Sequence, residues 1–222
     1  MERKSTDRAD VANPDEVAMN IVMMIVCGLV STTLTLAVIA WMQIRFADGE
    51  LRGYEVFPLL GLVAFSLMWT HYIVGSARRR LGVKKQALRV YSAATSWVVL
   101  VCLILHPTLL AYELWRDGLG LPPLSIVSVY SSGIMPFAII AGSMSLTVFL
   151  AFELHRWFRD AAWWKYVEMA SVVAMGAIFW HGLQLGGEIN TWYRAVWIIY
   201  AVTFVVAIVY NHKHDKLTRR EL

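Results

Sequence analysis

Six long apolar runs, separated by short polar stretches, dominate the chain: residues 18–44, 56–76, 90–112, 126–154, 163–186 and 192–210. Each approaches or exceeds the roughly 20 residues that a helix needs to cross a bilayer. None alternates apolar and polar positions as a membrane-barrel strand does. The pattern predicts an all-α membrane protein, a bundle of six transmembrane helices. Asn13-Pro14-Asp15-Glu16 opens the first helix: Asn13 caps, Pro14 suits the first helical position, and the two acids complement the helix dipole. Pro122-Pro123 marks the loop before the fourth helix. The chain thus divides into an N-terminal tail (1–17), a six-helix domain (18–210) and a short basic tail (211–222). It has no repeat of fixed period and no low-complexity segment.

The polar positions then orient this bundle. Sixteen of the twenty Lys and Arg fall on one side: in the N-terminal tail, in the second loop (Arg78, Arg79, Arg80, Lys84, Lys85, Arg89), in the fourth loop (Arg156, Arg159, Lys165) and in the C-terminal tail. Only Arg45, Arg52, Arg116 and Arg194 fall on the other. By the positive-inside rule both termini are cytoplasmic, in a multi-pass protein of the plasma (inner) membrane. Only 16% of the residues are charged against 58% hydrophobic, where soluble domains carry about a quarter charged. That balance excludes disorder, collagen, an ordinary soluble enzyme and a nucleic-acid-binding domain. The net charge of +4 therefore reads as orientation against membrane lipid. The polar first sixteen residues and the long run behind them do not read as a signal peptide. Trp115, Trp163, Trp164 and Trp192 sit near run ends, as an interfacial belt does. Cys27 and Cys102, with no Cys-x-x-Cys spacing, read as small buried apolar residues.

The candidate chemistry lies in the histidines, because ionisable residues inside a membrane are costly and usually functional. His212 and His214 belong to the basic tail and read as solvated. His106 lies 17 residues past Arg89, and His181 lies 16 past Lys165. Both are about 25 Å from the inner surface, at one depth on two parallel helices. Two imidazoles facing each other at equal depth are what bis-histidine ligation of heme iron requires, and Gly182 beside His181 would give a porphyrin room. Two unrelated core histidines would share this spacing, so both readings stand on spacing alone. His71 is only about 10 Å from the inner face and reads as a core histidine. His155, next to Arg156, reads as interfacial. Glu168 is expected near the inner end of the fifth helix, hydrated or paired with Lys165, with a quinone or proton role as the sharper alternative.

From Ala77 to Asn211 the chain resembles the ferric reductase-like transmembrane family, which includes the NADPH oxidase membrane domain and the heme-binding membrane subunit of the periplasmic methionine sulfoxide reductase system. The resemblance rests on Arg78-Arg79-Arg80-Leu81-Gly82 before a helix that carries Leu105-His106. It rests also on Trp157-Phe158-Arg159, Trp163-Trp164-Lys165-Tyr166 and then Trp180-His181-Gly182-Leu183. It implies a b-type heme on His106 and His181. The family usually has a second histidine 13 or 14 residues earlier on each helix; here those positions hold Glu168 and Ser92. An inner heme therefore lacks its ligands, although His71 or His155 would be substitutes. The sequence has no Gly-rich phosphate loop after a strand, so the electron donor is expected to be a separate flavoprotein or a membrane quinol.

Taken together, the expectation is a cytochrome b-like electron-transfer protein, or the heme-binding membrane subunit of an oxidoreductase. It holds one heme near the outer face and passes electrons to an external protein or metal acceptor. Arg116 and Arg194 are the candidate cations for the propionates, although solvated loop residues are the favoured reading of both. The alternative is a non-redox membrane subunit or transporter that uses the buried His and Glu residues as a polar core or proton relay.

Overall fold

The computed structural model describes residues 14–45, 52–131, 133–153 and 163–218. Among these, seven α-helices and no strands are found: α1 Pro14–Arg45, α2 Gly53–Arg80, α3 Arg89–Arg116, α4 Leu124–Val129, α5 Met135–Glu153, α6 Trp164–Leu185 and α7 Tyr193–Thr218. All but α4 are long and apolar enough to cross a membrane. α1 begins at the expected Pro14.

Three boundaries differ from the pattern-based reading. The fourth run, 126–154, is not one helix but two: α4 ends at Val129 and α5 starts at Met135. Gly133 between them adopts φ +57°, a left-handed conformation that ends a helix and that glycine adopts without strain. Pro136 then sits in the first turn of α5, where its missing N–H leaves no ladder bond unmade. Second, Arg78, Arg79 and Arg80 are not loop residues. They form the last turn of α2, where their charge complements the negative end of the helix dipole, and the Arg78 guanidinium donates to Val83 O at 2.9 Å. Third, α7 continues to Thr218, through most of the segment read as a tail.

Two helical hairpins, α2–α3 and α5–α6, make the most extensive contacts in the bundle, and α1 and α7 both pack on α2. Val22 and Val26 of α1 cluster with Val74, Val83 and Leu88, and Ser76 of α2 donates to Asn211 of α7. The start of α1, the end of α2 and the end of α7 thus share one end of the bundle, the end rich in Lys and Arg. The opposite end joins the C-terminus of α1 to the turn before α7 through an ion pair between Arg45 and Glu188 at 2.8 Å.

The centre is aromatic. Phe65 of α2 stacks on Trp197 of α7 at 4.1 Å between centroids and meets Phe179 of α6 edge-on at 4.9 Å. Trp69 stacks on Tyr200 at 4.4 Å and donates to the Tyr200 carbonyl at 3.0 Å. The outer surface is apolar too: Val98, Val101 and Ile104 of α3 and Ile198, Val202 and Val206 of α7 are exposed, as helices clothed by a bilayer require. Cys27 is on this surface rather than buried as expected, while Cys102 is in the core. Of the four tryptophans read as a belt, Trp115, Trp163 and Trp192 are exposed but Trp164 is buried, its indole donating to Glu168 Oε1 at 3.0 Å.

Phe65 ties α2 to α6 and α7 at once, so Phe65→Ala should destabilise the bundle by about 3 kcal/mol, the usual cost of a large-to-small core change. A thermal unfolding midpoint in detergent equal to that of the parent would contradict this role.

Candidate functional site

His106 is 17 residues past Arg89, the first residue of α3, and His181 is 17 past Trp164, the first of α6. The two helices run the same way, so the histidines stand at one height, as their spacing predicts. Both line a single cavity of about 580 Å³ between the two hairpins, within the usual range for cofactor and small-molecule sites.

The two rings are held in the same manner. His106 Nδ1 is 2.6 Å from Phe57 O of α2. His181 Nδ1 is 2.8 Å from Ala138 O of α5. A carbonyl only accepts, so each Nδ1 carries the proton and donates, and each Nε2 keeps its lone pair. The geometry depends on two glycines. In a helix the carbonyl of residue i points at residue i+4, and here those residues are Gly61 and Gly142. A Cβ on Gly61 would stand 2.9 Å from His106 Cε1, and one on Gly142 would stand 2.5 Å from His181 Nδ1. Any other residue at either position would push the ring off its carbonyl. Sequence reasoning missed both glycines. The available signal was a glycine inside an apolar run on the helix preceding each histidine.

Gly182 also lines the cavity, but the room it leaves is taken by protein: a Cβ there would be 2.7 Å from Trp197 and 2.8 Å from Ile189. It lets α6 approach the Glu188–Asn190 turn and α7. The glycines that open space at the histidines are Gly61 and Gly142.

The cavity wall is mainly apolar, with Leu62, Phe65, Leu103, Leu146 and Trp197. Its polar corner holds the Arg45–Glu188 pair and Tyr130. Glu188 is 2% exposed in its side chain, Arg45 30%. Burial pushes the Tyr130 phenol above its ordinary pKa, and the Arg45 charge opposes that shift. Arg116 and Arg194, the cations expected here, are not among the lining residues. Arg116 pairs with Glu113 and Asp117, and Arg194 donates to Asn190 Oδ1 at 2.7 Å. The cation among the lining residues is Arg45.

The remaining site residues of the sequence reading lie elsewhere. His71 bonds Thr95 Oγ1 at 2.6 Å and stands edge-on to Tyr91, as a core histidine does. Glu168 is exposed and held by Trp164, and Ser92 is exposed as well, so neither faces an interior site. His155 and the side chain of His214 lie outside the described residues, and His212 is exposed. Among the described residues no group of three or more His, Cys, Asp and Glu is arranged to hold a bare metal ion. No protein-family model, curated protein or solved structure matches this chain.

The Arg45–Glu188 pair gives a test of the polar corner. Arg45→Ala leaves a buried carboxylate without its cation and should cost about 3 kcal/mol, read as a lower unfolding midpoint. Adding Glu188→Gln to that variant should restore most of the loss, because a neutral amide needs no counter-charge. No recovery in the double variant would show that the pair is not what holds this corner.

Proposed function

We propose that the chain is a six-span membrane cytochrome of the b type, with both termini in the cytoplasm and the histidine cavity toward the outer face of the plasma membrane. His106 and His181, on α3 and α6, are the residues that would hold one heme b through their Nε2 atoms. The observation that carries this reading is the paired histidine arrangement: equal height, one shared cavity, and each Nδ1–H committed to a helix carbonyl. Such a hydrogen bond fixes the ring and its tautomer and raises the basicity of the ligating nitrogen. The donor set fits heme: two imidazoles with free Nε2 lone pairs and a mainly apolar slot, with Arg45, paired to Glu188, as the cation at its polar corner. When bound, the heme supplies one-electron ferric–ferrous chemistry. The residues themselves keep both imidazoles oriented, keep water from the apolar wall and hold Arg45 charged against Glu188. One heme per chain follows, since Ser92 and Glu168 are no ligands. Electrons then come from a separate flavoprotein or quinol and leave to an acceptor at the outer face. The resemblance to ferric reductase-like membrane domains supports the same assignment, and with it a role as the heme-binding subunit of an oxidoreductase.

Two experiments decide it. Purified protein should show a reduced-minus-oxidised spectrum of low-spin b heme at one heme per chain. His106→Ala or His181→Ala should remove the heme or turn it high-spin, and His71→Ala should leave it unchanged. Heme that survives unaltered in both of the first two variants overturns the assignment. Protein without heme points instead to a non-redox membrane subunit. Separately, sixteen of the twenty Lys and Arg lie on the side assigned to the cytoplasm, so a reporter fused to the C-terminus should read as cytoplasmic. An external reading would invert the topology.

A further inference from the structure

Seven residues after His106, two turns further along the same face of α3, stands Glu113. It is buried, at 2% exposure. Its Oε1 accepts the backbone N–H of Gly53, the first residue of α2, at 3.2 Å. The first four N–H groups of a helix have no acceptor within it, and the side chain of Arg52, at the cap position, has only donors to offer them. α3 therefore supplies a cap for α2, with a carboxylate at the positive end of the helix dipole. A glycine again makes the approach possible. A Cβ on Gly53 would stand 2.6 Å from Glu113 Oε1 and 2.7 Å from its Cγ. Arg116, in the last turn of α3, pairs with the same carboxylate.

Gly53, Phe57 and Gly61 follow at intervals of four along one face of α2. α3 meets them in antiparallel order: Glu113 lies over Gly53, and His106 lies over Gly61 with its Nδ1 on Phe57 O. Two bonds of opposite sense thus join these turns, α3 accepting at Gly53 and donating at Phe57. A single bond fixes one point. Two, a helical turn apart, fix both the height and the rotation of the start of α2 against the imidazole. We propose that Glu113 is the positioning residue for His106: its bond to Gly53 sets the carbonyl that holds the Nδ1–H, and so keeps the lone pair on Nε2. His181 is also followed seven residues later by a glutamate, Glu188, but that one lies beyond α6 and pairs with Arg45. Glu113 therefore acts on one ring of the two. The bracing of that ring stands without a cofactor, while its bearing on iron ligation rests on the heme assignment.

NMR of the full chain labelled with ¹⁵N-histidine, in detergent micelles and kept reduced so that a low-spin heme is diamagnetic, tests it through the solvent exchange of the ring N–H protons. Exchange of a buried N–H reports how often its surroundings open. In Glu113→Ala the His106 Nδ1–H should exchange about tenfold faster, the size of effect that one lost hydrogen bond has on local opening, while the His181 Nδ1–H keeps the parent rate. Gly53→Ala should do the same with the carboxylate still present, and it decides the question if Glu113→Ala fails to fold. Glu113→Gln, whose amide oxygen still accepts, should keep the parent rate at both rings. An unchanged His106 rate in Gly53→Ala overturns the proposal, as does equal acceleration at His181, which would mark a general loosening. Where heme is bound, Glu113→Ala and Gly53→Ala should also raise its midpoint potential, because an imidazole without its acceptor is a weaker donor to ferric iron. Protein without heme would sink the heme assignment, and the exchange rates would still decide this one.

Discussion

The site depends on a hydrogen bond between an imidazole N–H and a helix carbonyl. A carbonyl inside a helix is already engaged by the N–H four residues on, and the side chain at that position screens it. His106 and His181 reach Phe57 O and Ala138 O only because Gly61 and Gly142 have no side chain to intervene. The bond does three things together. It satisfies a polar nitrogen in an apolar interior, where an unmade hydrogen bond costs about 1–3 kcal/mol. It fixes which nitrogen keeps its lone pair. It also joins each histidine-bearing helix to its hairpin partner, so the positions of both rings are part of the packing.

The two halves of the site are built alike. In each, a helix offers an accepting carbonyl within its first five residues, at Phe57 in α2 and Ala138 in α5, and the next long helix returns with the histidine. Both hairpins run in the same direction, which is why two histidines that are 75 residues apart in the chain arrive at one height. Phe65, Trp197 and Leu62 close the cavity on the α2 and α7 sides, and the aromatic stack behind them leaves the wall little freedom to collapse inward.

Sequence reasoning reached the coarse architecture because membrane crossing imposes a length and a composition on each helix, and both are visible in one chain. The shared height of His106 and His181 was readable for the same reason: distance from a charged helix end is a sequence quantity. What it missed depends on which face of a helix meets which neighbour. Gly61 and Gly142 matter only through the rings opposite them. Arg45 entered the sequence reading only as one of four basic residues on the far side, and its partner Glu188 is 143 residues away. Arg116 and Arg194 were at the right end of the bundle but are engaged by Glu113 and Asn190. The break between α4 and α5 was masked because apolar residues flank it closely on both sides, although Ser131, Ser132, Gly133 and Pro136 were there to be weighed.

The placement of the cavity also bears on the order in which the molecule can be assembled. α1, α2 and α3 form a closely packed unit that is complete before α5 is synthesised, whereas the α5–α6 hairpin meets that unit mainly along α3. The cavity that both histidines line lies along that seam. Whatever fills it binds both units and neither alone, so its binding energy is also the docking energy of the late hairpin. Filling of the cavity and completion of the bundle then become a single event, and chains whose cavity stays unfilled would keep an undocked pair of helices, the form that membrane quality control removes.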